Sequence, residues 1–202
     1  LARTGSDSTI FGAVQSAGAI GGVAGGLLMS AWAGFKKKSY GVIFGWMTWG
    51  VAFLFLGLGS TLWIWAPIMV IQSIIGSVID ASNQTIWQSK VAPDAQGRVF
   101  SARRLIAWFA QPISPLIGGA LADYVLEPAM ATEGSVLANM FGPLVGTEQG
   151  SGMAILFIIA GLMVVVVSAI GYTVPAIRNV EDLLPDHDQL QKAEAVSEGA
   201  TS

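Results

Sequence analysis

Residues 83–104 read NQTIWQSKVAPDAQGRVFSARR and hold four of the ten Lys/Arg residues of the chain, Lys90, Arg98, Arg103 and Arg104, between two long apolar runs. Cationic side chains beside inserting apolar segments are retained on the cytoplasmic side, so this stretch reads as a basic inside loop. Working outward, about 20 predominantly apolar residues cover the hydrocarbon core as a helix. Five segments qualify: residues 10–32, 40–59, 64–85, 105–125 and 153–174. They are continuous apolar runs without period-two alternation, which excludes spanning strands. The expected fold is an all-α polytopic bundle over residues 1–178, with an external segment at 126–150 and an acidic cytoplasmic tail at 179–202.

Composition agrees. The chain is 53% hydrophobic and 11% charged, with a mean hydropathy of +0.63, whereas a soluble domain is roughly one-quarter charged. Six of the thirteen acids, Glu181, Asp182, Asp186, Asp188, Glu194 and Glu198, crowd into the tail. There is no cysteine, and the single histidine, His187, also lies there. Thiolate chemistry is excluded and no metal site is expected. The chain opens LARTGSDSTIF, with no initiator Met and no basic-then-apolar signal, which reads as an internal start within a longer protein or a truncated frame.

The other connections test orientation. Lys36, Lys37 and Lys38 follow the first span, Ser60 to Trp63 carry no charge, and residues 126–150 contain Glu127, Glu133 and Glu148 but no Lys or Arg. With Arg178 and Lys192 after the last span, this predicts a multi-pass plasma-membrane protein of the bacterial inner-membrane type, N-terminus outside and C-terminus inside. Trp32, Trp63, Trp65 and Trp87 fall at span ends, as interfacial anchors or packing partners. Trp46, Trp49 and Trp108 lie deeper, where helix packing is favoured over substrate stacking. Within the external segment, Leu137, Met140, Phe141 and Leu144 recur at three-and-four spacing, a short amphipathic helix that would cap the bundle or gate it.

Several residues are candidates for function. The first span pairs Gly18 with Gly22, Gly21 with Gly25 and Gly22 with Gly26 at small-xxx-small spacing, which lets a second helix approach closely, within the bundle or in a homodimer. Asp80 is a carboxylate more than one turn inside a span. It would exchange a proton, meet a cationic substrate, or pair with Arg103 or Arg104, since an intramembrane acid costs about 2.5 to 3.5 kcal/mol on insertion scales. Gln15, Ser16, Gln72, Gln111 and Ser114 are uncharged polar groups that need a helix, water or ligand partner. Pro112 and Pro115 remove two donors from the fourth span and predict a bend. No phosphate loop, nucleophile set or metal spacing is present, so neither an enzyme nor a cofactor is expected, and ten basic residues that follow topology give no case for nucleic acid.

Gln88, Pro93, Gly97, Arg98 and Val99, in QSKVAPDAQGRVF, resemble the loop between the tenth and eleventh helices of major facilitator superfamily exporters of the macrolide-efflux and siderophore-exporter-like branch. The Gly-rich first span with Gly34 and Lys36 to Lys38 resembles helix eight and its loop; PLIGGALAD at 115–123 resembles helix eleven. EPAM at 127–130, FGPLVG at 141–146, Val180-Glu181 and Leu184-Pro185-Asp186 extend the likeness. The resemblance implies that the spans are helices eight to twelve of a twelve-helix transporter whose remaining N-terminal helices are partners outside this sequence. It implies proton-coupled efflux of a small amphipathic molecule, a drug, macrolide or siderophore, by alternating access in membrane lipid, with protons as co-substrate. Gln15, Gln72 and Gln111 then become cavity-lining candidates, and Arg98 an anchor of the cytoplasmic loop. The competing expectation is a non-transporting fragment or helper subunit that packs on a partner membrane protein. A channel is disfavoured because no span carries a polar stripe.

Overall fold

The computed structural model describes residues 7–32, 34–132, 134–183 and 186–187. The described chain is helical: α1 (Ser8–Trp32), α2 (Lys38–Leu58), α3 (Leu62–Lys90), α4 (Pro93–Leu121), a π-helical turn (Ala122–Leu126), α5 (Glu127–Ala131), α6 (Val136–Val145), α7 (Ser151–Thr173), α8 (Pro175–Arg178) and α9 (Val180–Leu183). Five of these stretches are long and apolar enough to cross a membrane, which makes the chain an integral membrane protein.

The basic stretch at 83–104 is not the loop that its polarity suggests. α3 continues to Lys90 and α4 begins at Pro93, leaving Val91 and Ala92 outside a helix. Pro93 explains the economy: its ring forces Ala92 out of the helical region (ψ 139°), and its missing N–H costs nothing at the first helical position. Asp94 in the first turn faces the exposed amides there. About 20 residues suffice to cross hydrocarbon, and α3 and α4, at 29 residues each, are longer than that. The external segment is likewise helical at its start, since α4, the π turn and α5 form one continuous rod to Ala131. Pro128 lacks a donor and crowds the preceding turn, and the widened turn at 122–126 relieves it, with Glu127 N–H bonding Ala122 O.

Four helices pack in a row, α1 on α3, α3 on α2, and α2 on α7. Glycines set the spacing. Gly21 lies against Val70 and Ser73, and Gly25 against Ile74 and Ser77, so α1 and α3 run parallel in close contact. Gly22 and Gly26 face open space. The intramolecular use of the glycine stripe is therefore found, but it runs through Gly18, Gly21 and Gly25. α2 crosses α3 through Gly41 on Ser82, Gly45 on Ile79 and Trp49 on Gly76, and crosses α7 through Gly50 on Gly161 and Gly57 on Ala154. Side chains at these points would hold the backbones apart and forfeit the dispersion contact that drives helix association in lipid.

α6 forms where the apolar spacing predicts. Ser135 caps it, accepting the Ala138 N–H and donating to Ala129 O. Its Leu137, Phe141 and Val145 cover the small core of Leu126, Met130 and Ile155, while Met140 and Leu144 face outward. That is the capping role, on the end opposite the lysines.

Candidate functional site

α4 is the exception to this packing. It is 29 residues long, yet none of its residues is buried. It touches α3 where the Arg103 guanidinium stands 4.4 Å over the Trp87 ring, and α7 where Gly118 meets Leu156. Arg103, Ala107, Gln111, Ser114 and Gly118 recur at spacings of four, four, three and four, so the face between these two contacts carries Gln111 and Ser114 toward the row of helices. On α3, Asp80, Gln84 and Trp87 fall on one face at i, i+4 and i+7, the side over which Arg103 lies. On α1, Gln15 shares a face with Gly22 and Gly26. Because α1 and α3 run parallel, helical phase turns that face to the same side as Asp80.

Gln15, Asp80, Gln111 and Ser114 thus look into one open side of the bundle, bridged by α4. No hydrogen bond or ion pair joins any two of them among the described residues. Gln15, Asp80 and Gln111 are exposed, and the Ser114 and Ser16 hydroxyls donate back to Ala110 O and Gly12 O of their own helices. The ion pair with Arg103 or Arg104, one of the alternatives for Asp80, is not formed among the described residues: Arg103 is engaged by Trp87 and Phe100, and Arg104 lies 6.0 Å over Trp108. Both guanidiniums prefer aromatic faces beside them to a carboxylate more than five turns back along the chain.

Gln72 is placed differently. It is 4% exposed, and its Nε2 has no hydrogen-bond partner. Continuing the Gly41–Ser82, Gly45–Ile79, Trp49–Gly76 register sets it opposite Ala52, a buried residue that offers no side-chain acceptor. The expected helix-to-helix bond is absent. The α2 aromatics form a ladder, Trp46 to Trp49 at 6.0 Å, Trp49 to Phe53 at 6.3 Å and Phe53 to Phe157 of α7 at 5.6 Å. Packing therefore holds Trp49, whereas Trp108, at 64% exposure, is not packed as expected.

At the basic end the turn motif is tied by a residue the sequence reading passed over. Gln96 Nε2 donates to Gln88 O at 3.1 Å and Val91 O at 3.0 Å, closing the turn across Pro93. Gly97 has open space around it, and Arg98 is exposed and makes none of the expected anchoring bonds among the described residues. Those bonds come from the tail. The Glu181 carboxylate accepts Lys38 N–H at 3.0 Å and Ser39 N–H at 3.2 Å at the start of α2, and Lys37 pairs with Asp182 at 2.6 Å. Lys90 pairs with Asp186 at 2.8 Å. Leu184, Pro185 and Lys192 lie outside the described residues. A surplus of acids at 181–186 opposite lysines at 36–38 and 90 was the available signal. No protein-family model, curated protein or solved structure matches the chain.

Proposed function

We propose that this chain is the C-terminal part of a secondary active transporter of the major facilitator type, exporting a small amphipathic molecule by alternating access with protons as the coupling ion. The five long helices correspond on this reading to helices eight to twelve, and the lysine-rich end faces the cytoplasm. One observation carries it: α4 is of membrane-spanning length, holds Gln111, Ser114, Pro112 and Pro115, and buries nothing. In hydrocarbon those amides and the carbonyls freed by proline would have nothing to bond, so a helix of this kind belongs beside other helices or a water-filled path. Further helices of the same transporter would complete the open side lined by Gln15, Asp80, Gln111 and Ser114, and the substrate would cross there. The aromatic ladder from Trp46 to Phe157 suits an amphipathic cargo.

The test is accumulation of labelled drug or siderophore in cells expressing the full-length gene, with and without a proton uncoupler. Lower accumulation that the uncoupler reverses supports the reading. Unchanged accumulation, or a reading frame that starts at Leu1, would leave the helper subunit docking α4 on a partner membrane protein.

A further inference from the structure

Residues 175–183, with Asp186 and His187, lie at the basic end of the bundle and touch three helices. Ser39 Oγ donates to Arg178 O at 3.0 Å, and the Glu181 carboxylate takes the first two amides of α2. Lys37 holds Asp182, and Lys90, the last residue of α3, donates both to Glu181 O at 2.9 Å and to Asp186 Oδ1 at 2.8 Å. Asp186 and His187 then close, with Gln88, Ser89, Val91 and Pro93, a cavity of about 100 Å³ against the α3–α4 turn. The tail thus lies on the turn motif itself.

α4 has no interior packing to fix its direction. It is held at its far end, where the π turn meets α7, and toward its near end by the two-residue break after Lys90 and the Arg103–Trp87 contact. A rod held at two ends takes its angle from whatever fixes the ends. At 1.5 Å per residue its 29 residues span about 43 Å, so a tilt of about 10° moves one end by about 7 Å. We propose that residues 175–183, together with Asp186 and His187, act as a strap that clamps the α3–α4 turn to the N-terminus of α2 and so sets the angle of α4, and that release of the strap lets α4 swing across the open side. The strap acts whatever the cargo, and does not require that the protein transport anything.

The absence of cysteine makes the test direct. Spin labels at Ser30→Cys on α1 and Ser101→Cys on α4 report the inter-helix distance in the full chain in lipid; Ser30 Oγ bonds only its own helix, and Ser101 is exposed. The strap is released by combining Glu181→Gln, Asp182→Asn and Asp186→Asn. Release is scored separately by maleimide labelling of a Val180→Cys variant, at a partly buried position of the strap. The expected result is a several-fold rise in labelling with a shift or broadening of the distance distribution by several ångströms. An unchanged distribution with raised labelling overturns the strap's hold on α4. Unraised labelling overturns the ionic clamp.

Discussion

Glu127 closes the N-terminus of α7 on Gly152, whose N–H it receives at 2.6 Å while its other oxygen takes Gly150 N–H at 2.5 Å. The carboxylate sits where the helix dipole and unpaired amides favour negative charge, as Glu181 does at the start of α2. A Cβ at residue 152 would lie 2.5 Å from the Glu127 backbone nitrogen, so only glycine fits. Glu127→Ala should lower stability by about 1 to 2 kcal/mol, and Gly152→Ala by at least as much. Thermal unfolding of the purified protein checks both. A neutral Gly152→Ala would mean the two segments separate more readily than this contact allows.

The glycine stripe of α1 gives a paired prediction. Gly21→Ala and Gly25→Ala push a methyl into Val70 and Ile74 backbone and should cost about 1 to 3 kcal/mol each. Gly22→Ala and Gly26→Ala meet nothing in the chain and should be neutral or slightly stabilising. Equal effects of the two pairs would place the α1–α3 contact on the wrong face.

These cases show what sequence could and could not reveal. The five spans, the capping helix α6 and the close approach of α1 were legible because each is written in local hydropathy or residue size. Which glycines make the contact was not, because the spacings 18/22, 21/25 and 22/26 are equivalent until the crossing point with α3 is known. The turn at Val91–Ala92 was hidden by polarity: helix outside hydrocarbon looks like loop. Glu127, Gln96 and Glu181 were unreadable because each caps or ties a group that only the fold brings near, across 25, 8 and 142 residues.

Gln72 keeps a buried donor unpaired, which costs about 1 to 3 kcal/mol. Gln72→Met has similar shape and no unmet donor, so it should raise the thermal midpoint. If the amide serves the cargo or water when α2 and α3 separate, transport falls in the same variant, a trade of stability for function. A lower midpoint would show that Nε2 is satisfied in the membrane.

The tail contacts should be insensitive to pH over a wide window and sensitive to salt. The hydrogen bond from Lys90 holds the Asp186 carboxyl below its ordinary 3.8, so its contribution is full above 3.8 and is lost as pH falls through the lower, docked value. The hydrogen bond to Asp182 raises the Lys37 ammonium above 10.5, so that contribution is full below 10.5 and is lost as pH rises through the docked value. Between 3.8 and 10.5 the spin-label distance between Ser30→Cys and Ser101→Cys should stay unchanged. At 1 M salt, where screening acts over about 3 Å, that distance distribution should shift or broaden. A change in that distribution at neutral pH would overturn this ionic account of the tail contacts.

Asp80 carries the sharpest functional prediction. With Arg103 engaged by Trp87, no ion pair to this carboxylate forms among the described residues, and an acid at the centre of a span costs about 2.5 to 3.5 kcal/mol, less near an interface. Asp80→Asn removes that cost while keeping the shape, so the amount of protein in the membrane should be unchanged or higher. On the proposed transport reading, this carboxylate on the open side beneath α4 is the candidate for proton coupling. Uncoupler-sensitive efflux should therefore be lost in Asp80→Asn while substrate still binds, and Gln84→Ala, one turn along the same face, should keep its response to a pH gradient. Unchanged pH dependence of transport in Asp80→Asn would sink the proton role and leave the carboxylate with a hydrated, structural one.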